Sequence, residues 1–459
     1  MKFDRISTGN PQADEILAGG FPKNSINIVM GQPGTGKSIF AEQLVFHNAA
    51  GERPILYLTT LSEPLPKMVS YVQRFAFFDQ HKIGEAVVYE DIGPQLAKDG
   101  IGALLPCLEE AIGRLSPAII VIDSFKALHD LSPSVSEVRR VFYELTGMLT
   151  AYETTVFLIG EYTDDDARRL PEFAVADGIL QFLRNPLSTR DERFMRVLKL
   201  RGSGYLEGLH AFRIAASGLE IFPRLVSPEI PEKYTIVEER VSTGIEGLDR
   251  LMGGGLWRGS TTVLAGPSGA GKTTAGLQFV LEGVRRGEPC LYANFQENPM
   301  QLARGLRGLG VDVEDVRRRG LHLMYASPVE LQVDSVIVSL FRQIQSAGTR
   351  RVVIDSLGDL VSAASDAHRL HDFLYALAQQ FTVKGVTSIL ISEAAMPGAG
   401  SDSLDVGGRF AFMADNLVLL SRSVEGDTKR SLTIVKQRAS VHDLASHEVE
   451  ITEKGLRVR

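Results

Sequence analysis

The chain has 459 residues, a formal net charge of −7 and a pI of about 5.8. Its 44% hydrophobic and 23% charged residues are typical of a folded globular protein and exclude a disordered or fibrous one. The length is too great for one ordinary core, so we expect two domains. A net negative surface repels polyanions, which argues against nucleic acid as a partner.

The N-terminal segment lacks the apolar core of a signal peptide, and the long apolar runs are of strand length rather than membrane length. We therefore expect a cytoplasmic protein without a membrane segment. Cys107 and Cys290 match no metal-binding spacing and are expected to be small buried apolar residues.

Short apolar runs alternate with longer stretches of helical period through the first half of the chain. Strands are expected at 25–30, 54–58, 119–123 and 155–159, and helices include 37–50 and 137–151. This alternation predicts an α/β fold in which a mostly parallel sheet is flanked by helices. The alternating segment 193–200 is expected to add an antiparallel strand at one edge.

The second half repeats this order after a proline-rich linker at 223–238. Its strands are expected at 260–265, 289–293, 352–355 and 387–392, with an antiparallel edge strand at 429–437. Residues 6–38 resemble 241–274, and similar pairs of segments follow at 119–128 and 352–360 and at 198–204 and 435–441. The repeat predicts two tandem domains, at 1–222 and 239–459.

Each domain contains the pattern G-x-x-x-x-G-K-[ST] between a predicted strand and a predicted helix. Such a loop turns its backbone N–H groups towards phosphate oxygens, its lysine reaches the β and γ phosphates, and its last hydroxyl binds Mg²⁺. The predicted nucleotide-binding residues are Gly31, Gly34, Thr35, Gly36, Lys37 and Ser38, and Gly266, Gly269, Ala270, Gly271, Lys272, Thr273 and Thr274.

An aspartate ends an apolar run in each domain and is followed by serine, at Asp123 and Asp355. A carboxylate at the carboxyl end of a strand, downstream of such a loop, orients a hydrated metal ion. We therefore predict Mg²⁺ sites at Ser38 with Asp123 and at Thr273 with Asp355. The alternative for each aspartate is a simple strand-end cap.

These motifs, together with the Ser-Thr-Gly segments at 7–9 and 242–244, make the chain resemble the KaiC family of RecA-like ATPases over nearly its whole length. The resemblance implies two tandem RecA-like P-loop NTPase domains that bind ATP and Mg²⁺. It also implies a homo-oligomer, a hexameric double ring with ATP between neighbouring subunits, slow hydrolysis, and signalling to a KaiB-like or other protein partner.

In such rings a neighbouring subunit supplies basic side chains to the phosphates. The matching positions are Lys199, Arg201, Lys436, Arg438 and His442. From the residues alone, the alternative is a solvated edge strand with alternating charges.

The family carries two adjacent glutamates after its second strand, which prepare water or a hydroxyl group for attack. They correspond to Leu61 and Ser62 in the first domain and to Gln296 and Glu297 in the second. Glu63 lies one residue further on and would point to the opposite strand face unless a bulge restores it. We therefore expect Glu297, assisted by Gln296, to carry most of the turnover, with Glu63 the catalytic candidate of a poorly active first domain.

The autophosphorylated Ser-Thr pair of the family corresponds to Ala411 and Phe412, which have no hydroxyl, so autokinase activity is not expected. The chain also ends without the tail that engages KaiA, which argues against KaiA as a partner.

Two other functions stay open at this point: a nucleotide-gated scaffold with negligible turnover, and a RecA-like DNA-dependent ATPase. The second would need basic loops with stacking aromatics, whereas the basic patches 139–142 and 317–320 are expected at helix ends.

Overall fold

The computed structural model describes residues 4–49, 53–60, 65–132, 134–186, 191–228, 237–364, 367–393, 410–422 and 429–459. The chain divides into two compact units, Met1–Arg224 and Leu225–Arg459. Both units have the same architecture.

The first unit has eleven described strands: β1 (Arg5–Ile6), β2 (Phe21–Pro22), β3 (Ile26–Gly31), β4 (Ile55–Thr59), β5 (Val87–Asp91), β6 (Ile119–Asp123), β7 (Thr155–Gly160), β8 (Gly178–Pro186), β9 (Asp191–Leu200), β10 (His210–Ala215) and β11 (Gly218–Phe222). Its described α-helices are α1 (Pro11–Ile16), α2 (Lys37–Asn48), α3 (Leu65–Val72), α4 (Gly93–Asp99), α5 (Leu104–Leu115), α6 (Val135–Ala151), α7 (Asp164–Arg169) and α8 (Pro171–Val175). Short 3₁₀ segments lie at Gln80–Lys82, Ile101–Ala103 and Phe125–Leu131.

Nine of these strands form one sheet in the order β11-β10-β9-β8-β3-β7-β6-β4-β5. The six strands from β8 to β5 in this order run parallel, and β9, β10 and β11 continue the sheet antiparallel. All six residues of the central strand β3 are buried, as are all six of β7, because helices cover both faces of the sheet.

The second unit has eleven described strands: β12 (Arg240–Val241), β13 (Leu256–Trp257), β14 (Thr261–Gly266), β15 (Cys290–Asn294), β16 (Leu321–Tyr325), β17 (Arg351–Asp355), β18 (Thr387–Glu393), β19 (Asn416–Arg422), β20 (Arg430–Gln437), β21 (Ser446–Thr452) and β22 (Gly455–Val458). Its described helices are α9 (Leu248–Leu251), α10 (Lys272–Arg285), α11 (Pro299–Gly308), α12 (Val313–Arg318), α13 (Val333–Ala347), α14 (Leu357–Ala363) and α15 (Ala367–Val383).

The second sheet has the order β16-β15-β17-β18-β14-β19-β20-β21-β22, again parallel over six strands and then antiparallel. Both sheets therefore confirm the predicted α/β fold of two tandem RecA-like domains. The predicted antiparallel strands are observed as β9 and β20, but the prediction that they lie at an edge was wrong, because β10 and β11, or β21 and β22, continue each sheet beyond them. Most predicted strands differ from the observed ones by one residue, because the hydrogen-bonded ladder and not the apolar run sets the ends.

One acidic run and two basic patches lie on helices of the two units. Asp166, in the acidic run 164–166, forms a capping box with Thr163 at the start of α7. Arg317 and Arg318 lie in the last turn of α12, as expected of the patch at 317–320. The expectation for 139–142 was wrong, since α6 begins at Val135 and this patch lies inside the helix.

Within the described residues, no helix has the length and apolar character needed to cross a membrane.

Candidate nucleotide-binding sites

The first P loop, residues 31–38, connects the carboxyl end of β3 to the amino end of α2. Gly34 and Gly36 have φ angles of +71° and +96°, in the left-handed region that glycine adopts without strain. A side chain at Gly31 would collide with the carbonyl oxygen of Phe182 on the adjacent strand. Glycine is thus required both for the turn and for its close approach to the sheet.

Lys37 is held inside this loop. Its side chain is buried, and Nζ donates a hydrogen bond to the carbonyl oxygen of Gln32 at 3.0 Å. Burial lowers the pKa of Lys37, and the carboxylates of Glu161 and Asp123 oppose this shift. These two nearby carboxylates therefore favour a charged ammonium at the place where a phosphate would bind.

The hydroxyl and carboxylate predicted for Mg²⁺ are in direct contact. Ser38 Oγ donates a hydrogen bond to Asp123 Oδ2 at 2.8 Å, and the hydroxyl of Tyr57 donates to the same oxygen at 2.9 Å. Hydroxyl and carboxylate oxygens are the hard donors that Mg²⁺ prefers. The residues present thus fit a hydrated Mg²⁺ ion beside the phosphates.

A cavity of about 830 Å³ opens beside this loop. Its lining includes Lys37, Ser38 and Asp123, the apolar side chains of Met68 and Ile214, and other residues of the loop and of the ends of β6 and β7. Pockets of roughly 300–1,000 Å³ accommodate small-molecule ligands, so the space is large enough for a nucleotide.

The second unit reproduces this geometry around residues 266–273. Lys272 is buried, and Nζ donates to the carbonyl oxygens of Gly266 and Pro267 at 2.8 and 2.9 Å. Thr273 Oγ1 donates to Asp355 Oδ2 at 2.8 Å, which equals the Ser38–Asp123 distance. Thus both units place a lysine, a hydroxyl and a carboxylate in the same arrangement.

Asp355 also accepts a hydrogen bond from the hydroxyl of Tyr292 at 2.7 Å. Burial raises the pKa of Asp355, while the hydrogen bonds from Tyr292 and Thr273 oppose the shift. A bound divalent cation would also stabilise the ionised carboxylate of Asp355, and so would lower its pKa as these hydrogen bonds do.

A side-chain oxygen fixes the turn that follows β15. Asn294 Oδ1 accepts hydrogen bonds from the backbone N–H groups of Gln296 and Glu297 at 2.9 and 3.1 Å. Glu297 is half-buried, and burial together with the charge of Asp355 raises its pKa. Gln296 is exposed, and its Nε2 donates to Asp359 Oδ1 at 3.2 Å. Glu297 thus interacts electrostatically with the aspartate of the site, whereas the Gln296 amide is bound to Asp359.

The family model described as "ATPase: KaiC" matches residues 6–226 and 241–459. The chain belongs to the KaiC ATPase family. The match covers both units, each with its own P loop.

Curated relatives are similar to this chain over nearly its whole length. The circadian clock oscillator protein KaiC of Thermosynechococcus vestitus is 28% identical over 97% of this chain and 87% of its own length. The protein of the same name from Picosynechococcus sp. is 26% identical over 97% of this chain and 88% of its own. The circadian clock protein KaiC3 of Synechocystis sp. is 27% identical over 99% of this chain and 92% of its own.

The glutamate pair of the KaiC family can be compared with this structure only in the second unit. Glu63, with Leu61 and Ser62, lies outside the described residues. The prediction that the first unit is poorly active therefore remains a prediction.

In this KaiC-family chain, Lys199 is the second-last residue of β9 and Arg201 comes directly after that strand. Both lie at the end of the sheet that is opposite to the P loop. The N–H of Arg201 bonds to the carbonyl of Asp177, whose own N–H bonds to the carbonyl of Ile26 at the start of β3. Gly31 lies five residues further along β3. At 3.3 Å per residue the two levels are about 16 Å apart, so Arg201 cannot contact the phosphates of its own P loop.

Arg438 occupies the same place in the second unit, because its N–H bonds to Asp415 and the N–H of Asp415 bonds to Thr261 at the start of β14. Lys436 Nζ donates to the carbonyl oxygen of Ala411 at 2.7 Å, as Lys199 Nζ does to that of Ala174 at 3.1 Å. These bonds fix the lysines at the opposite end of each sheet from the P loop.

His442 follows in an exposed loop. It is half-buried, and its Nε2 has no hydrogen-bond partner among the described residues. This nitrogen is itself shielded from solvent within the unit.

The segment that carries the autophosphorylation pair of the KaiC family contains Ala411 and Phe412 here. Both pack against the core of the second unit, and the Phe412 ring stacks on His371 with centroids 4.1 Å apart. The segment is thus held by apolar and aromatic contacts.

Several residues near the sites were not predicted from the sequence. Tyr57 and Tyr292 lie inside buried strands, where a tyrosine normally indicates packing. Glu161 directly follows β7 and Glu393 ends β18, and burial lowers the pKa of Lys37 and Lys272 while these two carboxylates, respectively, oppose the shift. A polar residue directly after an apolar strand, at equivalent places in the two halves, was the signal that could have revealed the glutamates.

Glu42 is the most unusual residue of the first unit. It lies on α2, is fully buried, and accepts a hydrogen bond from the Tyr89 hydroxyl at 2.7 Å. Its other oxygen has no hydrogen-bond partner among the described residues. Burial, with a contribution from Asp123, raises the pKa of Glu42 to about 8. The second unit has Leu277 and Leu323 at the equivalent positions.

Proposed function

We propose that this protein is a KaiC-like regulatory ATPase that binds ATP–Mg²⁺ in both units. The observation that supports this best is the duplicated contact between the last P-loop hydroxyl and the strand-end aspartate, at 2.8 Å in both units. Lys37 and Lys272 would hold the phosphates, and Ser38 or Thr273 would hold Mg²⁺ together with its aspartate. When bound, Mg²⁺ stabilises the negative charge that develops on the transferred phosphoryl group.

We propose further that each site is completed by a neighbouring subunit. Arg201 and Arg438 lie about 16 Å from the P loop of their own unit and cannot reach its phosphates, so we assign them to the site of a neighbouring copy of the chain. A contact between one end of a subunit and the opposite end of the next is heterologous, and such a contact forms a ring when its rotation closes. Membership of the KaiC family leads us to propose a hexamer, with the two units forming two stacked rings.

Slow hydrolysis in the second unit is proposed to depend on Glu297. This carboxylate is half-buried, its pKa is raised, and it interacts with Asp355, which suits a group that accepts a proton from attacking water. Gln296 would assist from the surface, where its amide is already bound to Asp359. The first unit would bind ATP tightly and turn it over poorly.

The output of this cycle is proposed to be a change of ring shape that is read by a protein partner. The curated relatives are named as circadian clock proteins, which supports a KaiB-like or other signalling partner. We do not propose autophosphorylation at the family position, since Ala411 and Phe412 have no hydroxyl.

Steady-state ATP hydrolysis by the intact protein tests this proposal. Lys272→Ala and Glu297→Gln should each abolish most turnover, and Lys37→Ala should mainly reduce the amount of bound nucleotide. Glu314→Gln, which changes an exposed glutamate in the first turn of α12, is the matched control and should turn over ATP normally. If Lys37→Ala removes most of the activity instead, the first unit is the working one.

The size of the particle, measured by light scattering with and without ATP, tests the shared sites. Nucleotide that binds between subunits stabilises the assembled form, so ATP should promote the hexamer. A monomer at every ATP concentration would contradict the proposed roles of Arg201 and Arg438.

A further inference from the structure

We propose that Arg5 and Arg240 are positioning residues for the phosphate contacts that each subunit makes with its neighbour. Each anchors the short loop that follows Arg201 or Arg438. This inference rests on the proposed function, because it assumes that these arginines act on a neighbouring site.

The Arg240 side chain connects two separate parts of the second unit. Its Nη1 donates to the carbonyl oxygens of Met252 and Gly255, at 3.1 and 2.8 Å. Its Nη2 donates to Ser440 Oγ at 2.9 Å, and the guanidinium lies over the Trp257 ring, 3.6 Å from its centroid. One guanidinium therefore ties the loop at 438–442 to the turn that precedes β13.

The first unit contains the same anchor. Arg5 Nη1 donates to the carbonyl oxygens of Leu17 and Gly20 at 3.1 and 2.7 Å, and Nη2 donates to Ser203 Oγ at 2.7 Å. Leu17 and Gly20 occupy the repeat positions of Met252 and Gly255. The two anchors share their geometry although many residues around them differ.

The anchored serine lies two residues after the arginine that would contact the phosphate. Arg438 is exposed, and among the described residues its side chain is held only by a long ion pair with Asp415, at 3.6 Å. The chain then passes through Ala439, which has a φ of +54°, to Ser440 and on to Val441, which is 94% exposed. Beside the backbone bond from the Arg438 N–H to Asp415, the bond from Arg240 to Ser440 is a second fixed point, which sets the path of the loop from Arg438 to His442.

A fixed loop matters because transition-state contacts tolerate little displacement. A shift of about 1 Å in a positioned group can cost roughly 10²-fold in rate, even when substrate binding is unchanged. The contacts that hold such residues in position are therefore also needed for a high rate. Loss of the Arg240 anchor should thus lower the kcat of the neighbouring site and leave nucleotide binding in its own P loop intact.

The first test is steady-state kinetics of Arg240→Gln and Ser440→Ala in the full chain. Arg240→Gln is expected to lower kcat about 10- to 100-fold with KM and hexamer size unchanged, and Ser440→Ala to lower it about 3- to 10-fold. Ser446→Ala, at an exposed serine at the start of β21, is the matched control and should behave as wild type. If Arg240→Gln does not fold, Ser440→Ala alone decides, because it removes one hydrogen bond and leaves the other Arg240 contacts in place.

The second test mixes subunits, since a positioning role for the neighbour predicts rescue in trans. Lys272→Ala subunits lack a working P loop in the second unit but carry an intact anchored loop, whereas Arg240→Gln subunits have the reverse defect. When equal amounts of the two variants mix at random within rings, about a quarter of the interfaces combine an intact P loop of one subunit with an intact anchored loop of its neighbour. About a quarter of wild-type turnover should therefore return. Arg438→Gln mixed in the same way is the reference.

The outcomes separate the two proposals. Rescue of both Arg438→Gln and Arg240→Gln supports the positioning role. Rescue of Arg438→Gln alone, or normal kcat in both Arg240→Gln and Ser440→Ala, overturns it while the shared sites stand. Absence of rescue for both shows that the contacts between subunits themselves are wrong, and the inference falls with them.

Discussion

The buried Glu42 of the first unit should make that unit less stable as the pH rises. Its pKa is about 8 in the folded protein, against 4.5 for an exposed glutamate, so the folded state keeps a proton that the unfolded chain releases. Unfolding therefore releases a proton between these two pH values, and the free energy of unfolding falls with increasing pH across that window. At pH 7 the loss is about 3 kcal/mol, since each pKa unit is worth about 1.4 kcal/mol.

The perturbation that tests this is Glu42→Leu combined with Tyr89→Phe: the first change introduces the leucine that the second unit has at Leu277, and the second removes the hydroxyl that would lose its partner. Replacing both partners of a buried hydrogen bond by apolar residues of similar shape can stabilise a protein, here by up to the roughly 3 kcal/mol that the buried Glu42 costs at pH 7. For a unit of this size, about 3 kcal/mol corresponds to a melting temperature roughly 6–12 °C higher at pH 7. The gain should shrink to less than about 1 kcal/mol at pH 5, because that pH lies only about half a unit above the pKa of 4.5 of the unfolded glutamate.

Scanning calorimetry of the full chain between pH 5 and pH 8.5 measures this effect, with the melting of the second unit as an internal reference. Glu109→Gln, at an exposed position on α5, is the control and should leave the pH dependence of the first unit unchanged. A double variant that melts at the wild-type temperature at pH 7, or below it, would show that Glu42 is ionised and well stabilised in the folded state. The reasoning from burial would then be refuted.

Three further predictions concern the second unit. Since burial and Asp355 raise the pKa of Glu297, turnover should rise with pH through that raised pKa, and Glu297→Gln should lose this limb of the pH–rate profile. Tyr292→Phe removes a 2.7 Å hydrogen bond to Asp355, so the Mg²⁺ concentration for half-maximal turnover should increase several-fold, as measured by magnesium titration. The absence of hydroxyls at Ala411 and Phe412 predicts no stable phosphate on this segment after incubation with ATP, and mass spectrometry of the intact protein and its peptides would detect one.

The sequence predicted the fold and the phosphate loops because both depend on local patterns. The apolar run before Gly31 specifies a buried strand, and the glycines that follow specify the tight turn of the P loop. Asp123 was predictable for the same reason, since it ends an apolar run. A feature that depends on one strand and its adjoining loop can be predicted without knowing which strands are neighbours in the sheet.

The remaining parts of the sites depend on contacts between distant segments. The Tyr57 hydroxyl reaches Asp123 only because β4 and β6 are neighbours in a particular register. Glu42 becomes unusual only because helix α2 packs against the strand that carries Tyr89. Nor could the sequence reveal that Arg201 lies about 16 Å from its own P loop, because this depends on the antiparallel pairing of β8 with β9.

The stacking of Arg240 on Trp257 gives this protein a built-in optical reporter. Trp257 is the only tryptophan in the sequence, so intrinsic fluorescence excited at its absorption edge comes from a single known position. A guanidinium 3.6 Å from the ring centroid influences its emission, and any movement of the arginine that accompanies nucleotide exchange would change the signal. Stopped-flow fluorescence of the unlabelled wild-type protein could therefore follow the motion of this loop in real time, without a dye and without a mutation.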